Sequence, residues 1–273
     1  PMNSSAASDV YKRQTQFNIG DAVLAETGLT CGAYAEYICL KEDELIVQKP
    51  ENISFEEATG ILDGGCTALA FFTDSVQLEK GQKVLINGAS GSIGTAAIQL
   101  AKNFGADVTA VCSGKNKALV MDLGADSVID YTTDELKTTT QKFDIIFDTV
   151  GKMSYRNGRK LLHSKGVFLT PVLDLSTLAN LLFVSPFTSK KLKFAATGMR
   201  KHALQMRDLT KIREMLATGQ LVTVIDRVYK LEQVQEAHQY VDKGRKTWQR
   251  GHQHVNSHRP VSYTHLRAHE TLV

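Results

Sequence analysis

The stretch that decides the fold is KVLINGASGSIGTAAIQLAKNFGADVTAVCSG, residues 83–114. An apolar strand leads into a glycine-rich turn, an amphipathic helix is predicted over 92–104, and a second apolar strand follows. Gly88, Gly91 and Gly94 suit a tight turn, a close backbone approach to a ligand and close helix packing. In this context the spacing predicts a pyrophosphate site at the start of the helix. The alternative is a glycine-rich turn without a ligand.

Strands and helices alternate strictly along the middle of the chain. The pattern predicts, after the quoted stretch, a helix over 117–123, strands over 127–131 and 143–150, a helix over 152–162 and a strand over 166–173. Parallel neighbouring strands need a long connection, which a helix supplies. We therefore expect an α/β fold built on a doubly wound parallel sheet.

A β-rich piece precedes this alternation, and helices follow it. Residues 17–50 predict the short strands DAVLAE, GAYAEYICL and LIVQKP. Ser54 and Glu57 have the spacing of a capping box, which marks the start of a helix. Further helices are predicted over 203–217 and 231–241.

The two ends of the chain are expected to be non-native. The peptide SSAASDVYKRQ, residues 4–14, and the peptide VSYTHLRAHET, residues 261–271, can each be encoded by DNA that resembles a transposase-type sequencing-library adapter. Dropping one base from the codon of Trp248 restores a buried-strand pattern, which indicates a frameshift near Lys246. We therefore leave residues 1–14 and 247–273 out of the fold interpretation.

A metal site is a further hypothesis for the tail, because five of the eight histidines are His252, His254, His258, His265 and His269. These positions match no ligand spacing that a turn or helix closes, so we expect no metal. The cysteines are scattered, at Cys31, Cys39, Cys66 and Cys112. Without a C-x-x-C pair they indicate neither a structural zinc loop nor a disulfide framework, and a reducing, cytoplasmic location fits.

Charge and hydropathy argue against nucleic-acid and membrane partners. Without the two ends, Lys+Arg falls from 32 to 27 and Asp+Glu from 29 to 27, so the net charge is zero. The longest apolar region, 167–187, is interrupted by two prolines, an aspartate and an asparagine. It falls short of the roughly 20 clean residues that a membrane span needs. We interpret this region as core.

The end of the second strand indicates which dinucleotide is bound. An NAD site usually presents an acid there for the ribose 2′-hydroxyl, whereas this strand ends VCSGKNK. This segment instead supplies hydrogen-bond donors and positive charge, which suit the 2′-phosphate of NADPH. These come from Ser113, Lys115, Asn116 and Lys117. Tyr131, after the third strand, could close the same pocket. The pattern predicts NADPH, unless the lysines only begin a solvated helix.

These elements, in this order, resemble the medium-chain dehydrogenase/reductase superfamily, and most of all its zinc-free quinone-reductase-like branch. The motifs are GAYAEY, INGASGSIGTAAIQLAKNFGADVTAVCS, LGADSVIDY, FDTVG and VIDRVYKLEQVQEAHQYVDKG, and the resemblance covers residues 15–246. It implies a partial GroES-like β-barrel over 15–53, a Rossmann domain over 54–200 and a return to the barrel over 201–246. The family's sequence normally extends upstream, through the first part of the barrel.

The resemblance also assigns cofactor contacts. Those to the pyrophosphate are Gly91, Ser92, Ile93 and Gly94, beside the Gly88 turn. Ser113 and Tyr131 match contacts to the 2′-phosphate. Asn116 stands where many relatives carry a lysine, so Lys117 or Lys115 takes that role.

Three further residues match positions around the nicotinamide. Thr67, in GGCTAL, corresponds to a threonine beside the ring, although a hydroxyl in a helix has an equally ordinary structural role. Val150 and Thr170 match strand ends that line the crevice, and core strand residues would look the same.

The activity that the resemblance implies is hydride transfer from NADPH to a quinone or an activated double bond, without metal, by a homodimer. No four-cysteine loop follows GAYAEYICL, where members with structural zinc keep one. A zinc-dependent alcohol dehydrogenase, a non-catalytic dinucleotide-binding module and an inactive fragment are the alternatives. The catalytic residue is unknown. Tyr34 and Tyr37 are candidate proton donors, although alternate strand tyrosines usually pack.

Overall fold

The computed structural model describes residues 16–28, 32–133, 135–242 and 260–262. The prediction of a non-native start at 1–14, the position of Cys31 and nearly all of the 247–273 tail lie outside the described residues.

Its strands are β1 (Val23–Ala25), β2 (Ile46–Gln48), β3 (Lys83–Asn87), β4 (Asp107–Cys112), β5 (Ser127–Asp130), β6 (Phe143–Asp148), β7 (Leu162–Thr170), β8 (Lys191–Phe194), β9 (Val228–Lys230) and β10 (Pro260–Ser262). Its α-helices are α1 (Phe55–Ala70), α2 (Ser92–Asn103), α3 (Lys117–Asp122), α4 (Glu135–Thr138), α5 (Tyr155–Leu161), α6 (Leu175–Ala179), α7 (His202–Ala217) and α8 (Val234–Asp242).

The central sheet has six strands in the order β5-β4-β3-β6-β7-β8. Every neighbouring pair in it is parallel. The chain begins the sheet at β3, builds outward to β5, and then returns to place β6 on the other side of β3. The order therefore reverses between β3 and β6, and a doubly wound sheet has its ligand crevice at the carboxyl ends of the strands around such a point. The predicted α/β fold is confirmed.

Local sequence signals start the helices that cover this sheet. At α1 the predicted capping box forms, with the Glu57 amide donating to Ser54 Oγ at 3.1 Å and the Ser54 amide donating to the Glu57 carboxylate at 2.8 Å. The buried sides of α1 and α2 meet over the sheet, where Ile61 and Leu100 join one core cluster with Ile86 of β3. Phe147 of β6 extends this core, its ring 4.9 Å from that of Phe71.

The piece before α1 contains less strand than its sequence predicts. The strands β1 and β2 form an antiparallel pair, with Leu24 opposite Val47. The strand predicted over 32–40 is wrong, since that segment is irregular and Tyr37 is 79% exposed. An isolated strand leaves its backbone groups unpaired, and no described strand pairs with 32–40. The division into two domains stays a prediction.

The apolar region 167–187 is core only at its start. Phe168 and Leu169 are buried in β7, but beyond it Leu175 is 87% exposed and Phe187 is 84% exposed. The core prediction is therefore wrong for the second part of the region. This part follows β7 in the chain. Beyond β7 the sheet contains only one more strand, the outer strand β8. Within the described residues, no helix is long and apolar enough to cross a membrane.

Near the end of the described chain, β9 pairs antiparallel with β10. Tyr34 lies beside this region, its ring 6.0 Å from that of His238 on α8, in an edge-on arrangement. The candidate proton donors Tyr34 and Tyr37 thus occupy different environments, one packed against a helix and one exposed.

Candidate functional site: a crevice at the carboxyl ends of β3 and β6

The turn after β3 depends on its glycines. Gly88 has φ +79°, and a Cβ there would lie 2.6 Å from Cγ1 of Val150 and 2.7 Å from Oγ1 of Thr149. A Cβ on Gly94 would press into the carbonyl oxygen of Gly88 and lie 2.7 Å from Cα of Ala89. Only glycine therefore lets the turn and the first turn of α2 approach each other this closely.

The backbone amides in the first turn of α2 are available to bind an anion. Gly91 is its N-cap and supplies no side-chain cap, so the first-turn amides of Ser92, Ile93 and Gly94 can donate to a ligand. The Ser92 hydroxyl is buried and has no hydrogen-bond partner among the described residues. A buried hydroxyl without a partner is costly. This site therefore fits a diphosphate, which would accept from both the amides and the hydroxyl.

α1 approaches this site very closely through Gly64. A Cβ on Gly64 would lie 2.6 Å from Ser92 Oγ and 2.8 Å from the Ser92 carbonyl carbon. Gly64 was not predicted from the sequence. A glycine inside an amphipathic helix was the available signal, because it costs helix stability and needs a packing reason.

Buried polar groups hold the ends of β3 and β6 together beneath the turn. Asp148 is 1% exposed and accepts from Asn87 Nδ2 at 2.9 Å and from the Met153 amide at 2.8 Å. Burial raises the pKa of Asp148, and these hydrogen bonds oppose that change. The Thr149 hydroxyl donates to the Asn87 carbonyl at 2.8 Å. These residues were also missed, although polar residues that end apolar strands mark this edge of a parallel sheet.

A second loop, after β4, lies beside the glycine turn. Ser113 is buried, Lys117 is exposed at the start of α3, and Tyr131 is exposed after β5. The Asn116 side chain is buried and donates to Ser90 Oγ at 2.9 Å. Asn116 therefore ties this loop to the glycine turn, and Lys117 and Lys115 remain the exposed cations there.

An acid that the sequence analysis did not consider also supports this loop. The Asp130 carboxylate accepts from the Thr132 amide at 2.9 Å and from the Thr132 hydroxyl at 2.7 Å. It accepts from the Gly114 amide as well, and together these hydrogen bonds lower the pKa of Asp130. The carboxylate is thus engaged in holding the loop that carries Ser113.

The residues expected around the nicotinamide lie on three elements. Thr67 on α1 is 6% exposed, and its Oγ1 lies 3.1 Å from Oγ1 of Thr197. Val150 packs over the Gly88 turn. Thr170, at the end of β7, is buried, and its hydroxyl accepts from the Val172 amide at 3.1 Å. No sequence motif pointed to Thr197, which begins a short 3₁₀ helix after β8.

Thr197 connects this area to a charged network. The Arg200 side chain donates to the Thr197 carbonyl at 3.3 Å, to Asp208 at 2.5 Å and to Asp74 at 2.6 Å. Arg207 contacts the same two aspartates. Asp208 is fully buried, so the two arginines balance its charge. In the part of the chain that the structure describes, no group of three or more His, Cys, Asp or Glu side chains could hold a metal ion.

The sheet and the uncapped glycine turn define a dinucleotide-binding α/β protein. Residues 123–247 match the family described as zinc-binding dehydrogenase. The chain is 31% identical over 231 residues to the chloroplastic quinone-oxidoreductase QR1 of Triphysaria versicolor, with 81% of this chain and 69% of that protein covered. It belongs to the medium-chain dehydrogenase/reductase superfamily, in its quinone-oxidoreductase-like branch.

Two other comparisons give the same family. The mitochondrial NAD(P)H oxidoreductase RTN4IP1 of Danio rerio is 33% identical over 234 residues, which cover 78% of this chain and 60% of that protein. The quinone oxidoreductase structure from Coxiella burnetii superposes with a TM-score of 0.72 at 26% identity, covering 84% of this chain and 70% of that one. The chain thus spans between 60% and 70% of the length of these two proteins.

Proposed function

We propose that this chain is an oxidoreductase that transfers hydride from NADPH to a quinone or an activated carbon–carbon double bond, without metal. The observation that carries the proposal is the uncapped start of α2 with its unpartnered, buried Ser92 hydroxyl. Membership of the quinone-oxidoreductase-like branch supports the choice of acceptor. A relative named 2-methylene-furan-3-one reductase, from Solanum lycopersicum, is 31% identical and supports the activated double bond.

Residues around the two loops would hold the phosphates. The amides of Ser92, Ile93 and Gly94 and the Ser92 hydroxyl would donate to the pyrophosphate. Ser113 and Lys117 would meet the 2′-phosphate, and hydrogen bonds to a charged group contribute roughly 1.5 to 3 kcal/mol each. Their presence is the reason to propose NADPH in preference to NADH.

The remaining cofactor contacts would fix the reactive ring. When bound, the reduced nicotinamide supplies a hydride to an electron-poor carbon or to a quinone. Thr67 would contact the ring through its hydroxyl, held by Thr197, while Val150 and Thr170 would line the floor of the crevice. Catalysis without a metal then depends mostly on positioning and on exclusion of water.

The test is steady-state consumption of NADPH by the purified 273-residue chain, with 9,10-phenanthrenequinone and an enone as acceptors. We expect NADPH to be oxidised with at least one acceptor and NADH to be at least tenfold less effective, as one or two added charged hydrogen bonds require. Calorimetric binding of NADPH without turnover would favour a non-catalytic dinucleotide-binding module. Absence of binding to either nucleotide would contradict the proposal.

A zinc-dependent alcohol dehydrogenase is the second candidate. The matching family is described as zinc-binding dehydrogenase, and the solved structure of an NAD-dependent alcohol dehydrogenase superposes with a TM-score of 0.65 at 26% identity. Metal analysis of the purified protein separates the two candidates. Stoichiometric zinc together with alcohol oxidation would reject the metal-free mechanism.

We further propose that the protein is a homodimer that buries the exposed apolar face beside β8. This face carries Leu175, Leu178, Leu182, Phe183 and Phe187, all exposed, and large exposed apolar patches usually mark interfaces. β8 is also an outer strand of the sheet, so a second copy could pair with it. Phe183→Glu should convert a dimer to a monomer in sedimentation, whereas Met121→Glu, at an exposed position of α3, should not.

The cellular location remains a prediction. A cytoplasmic location fits the scattered cysteines, of which Cys39, Cys66 and Cys112 are free thiols. Relatives are named as mitochondrial and chloroplastic proteins. Fluorescence microscopy of the tagged protein in its own cells would decide among these compartments.

A further inference from the structure

A buried carboxyl lies where the β1–β2 pair meets α1. Glu26 directly follows β1, and its amide donates to the Leu45 carbonyl at 3.0 Å. Its side chain accepts a hydrogen bond from the Cys66 thiol on α1. Its Oε1 is buried without a hydrogen-bond partner among the described residues. Arg200, a charged neighbour of Glu26, donates to the carbonyl of Thr197, whose hydroxyl pairs with that of Thr67. Cys66 also immediately precedes Thr67 on α1. These contacts put the carboxyl near the part of α1 that would face the nicotinamide.

The groups around Glu26 favour its neutral form. Asp63 on α1 and Asp208 on α7 are acidic neighbours, and Arg200 is the basic one. Arg200 is already shared between Asp208 and Asp74. Burial, followed by the charge of Asp63, raises the pKa of Glu26 from 4.5 to about 7. The carboxyl therefore keeps most of its proton up to nearly pH 7, where ordinary glutamates have lost theirs.

We propose that Glu26 is the proton donor of the reduction, an inference that rests on the proposed function. Adding a hydride to one carbon of an activated double bond moves the electron pair of that bond onto the neighbouring carbon. The O–H bond of Glu26 then breaks as a new C–H bond forms there, which leaves a carboxylate. With a quinone the same proton goes to an oxygen. Glu26 regains its proton from water.

The first test compares pH profiles of kcat for the 273-residue chain and its Glu26→Gln variant, with an enone and with 9,10-phenanthrenequinone. Wild-type enone reduction should fall as the pH rises through about 7. At pH 6 the variant should be slower by about 100-fold, the low end for general acid catalysis, and should lose the pH dependence. Quinone reduction should fall less, because water readily protonates an oxygen. Glu51→Gln, at an exposed carboxylate, is the matched control.

The second test detects the proton on the Glu26 carboxyl directly. Infrared spectra should show a protonated carboxyl band at pH 6 that disappears as the pH rises through about 7 and is missing in Glu26→Gln. A second variant, Cys66→Ala, removes a hydrogen bond that lowers the pKa of Glu26. It should move both the band and the fall in kcat to higher pH, and it keeps the inference testable if Glu26→Gln does not fold.

The outcomes separate this inference from the proposed function. Normal NADPH-dependent turnover with an unchanged enone pH profile in Glu26→Gln would overturn the role of Glu26 and leave the proposed function standing. A chain that binds no nucleotide and reduces neither acceptor would overturn both. Loss of the infrared band and of enone reduction together, with quinone reduction and nucleotide affinity largely kept, would support the role of Glu26.

Discussion

The six-stranded sheet and the β1–β2 piece differ in how their strands find partners. In the sheet, β3 to β8 follow one another along 83–194, and each strand pairs with another strand of the same segment. The β1–β2 pair is small, and the neighbouring segment 32–40 forms no strand. An apolar pattern therefore gives a strand only where a second strand pairs with its backbone groups.

The difference extends to the chemistry of the two regions. The sheet carries the proposed cofactor crevice, which is built from backbone geometry with glycines at its closest contacts. The β1–β2 piece contributes a single buried carboxyl, Glu26. One substitution can change the packing of the glycine turn in the sheet, and another can change the protonation of Glu26 in the β1–β2 piece.

The largest effect is expected from Gly94→Ala in the sheet region. The added Cβ would press into the Gly88 carbonyl and lie 2.7 Å from Cα of Ala89, which are backbone atoms that cannot move independently. We expect a loss of more than about 3 kcal/mol in the free energy of unfolding, the upper range for overpacking. Urea unfolding followed by circular dichroism measures it.

Gly198→Ala is the matched control, because a Cβ at Gly198 meets nothing within 4 Å. It should change the free energy of unfolding by less than about 0.5 kcal/mol. Equal losses in the two variants would show that the glycine turn is not the closely packed part of the molecule.

The sequence could predict this turn but not everything it contacts. Gly88, Gly91 and Gly94 follow a strand at a recognisable spacing, so the turn and its candidate pyrophosphate site could be predicted. Gly64 of α1 approaches Ser92 at this turn, and Thr197, which begins a short 3₁₀ helix after β8, contacts Thr67 of α1. Such contacts arise from tertiary packing between distant segments, which no local pattern contains.

The second prediction concerns the β1–β2 piece and the dependence of stability on pH. The pKa of Glu26 is raised from 4.5 to about 7 in the folded chain, so folding favours the protonated form. The stabilisation of the folded chain by protonated Glu26 is complete below about pH 4.5 and is lost as the pH rises through about 7. The loss in the free energy of unfolding should approach about 3 kcal/mol by pH 8.

Glu26→Gln cannot ionise and should not show this loss. Relative to wild type, the variant should therefore gain stability between pH 5 and pH 8 in urea unfolding experiments. Parallel pH dependences for the two proteins would mean that Glu26 is ionised and solvated like an ordinary surface glutamate. Glu51→Gln, at an exposed position, should follow the wild type.

The sequence gives no sign of this carboxyl. Glu26 ends the predicted strand DAVLAE, where a charged residue usually faces solvent. The groups that surround it include Asp63 and Cys66 on α1, some forty positions further along. The exposure of the apolar face after β7 could not be predicted from the sequence either. Hydrophobicity predicts burial but does not say whether the covering surface belongs to the same chain.

A smaller effect is expected from the loop that follows β4. Ser113→Ala and Lys117→Ala should each weaken NADPH binding by about tenfold, the lower end for a hydrogen bond to a charged group. NADH binding should change little, because NADH lacks the 2′-phosphate. Isothermal titration calorimetry with both nucleotides measures the ratio. Lys83→Ala, at the opposite end of β3, should leave both affinities unchanged, and an equal loss for NADH would argue against a 2′-phosphate site.

The smallest effect is expected from the hydroxyl pair of Thr67 and Thr197, which connects α1 to the segment after β8. Their oxygens lie 3.1 Å apart, and Thr67 is 6% exposed. A neutral hydrogen bond contributes about 1 kcal/mol, so Thr67→Val and Thr197→Val should each lower the free energy of unfolding by about that amount. In a double-mutant cycle the combined loss should be smaller than the sum of the single losses, because either substitution already breaks the bond. Strict additivity would show that the two hydroxyls act independently, and the proposed contact of Thr67 with the nicotinamide would lose the support of Thr197.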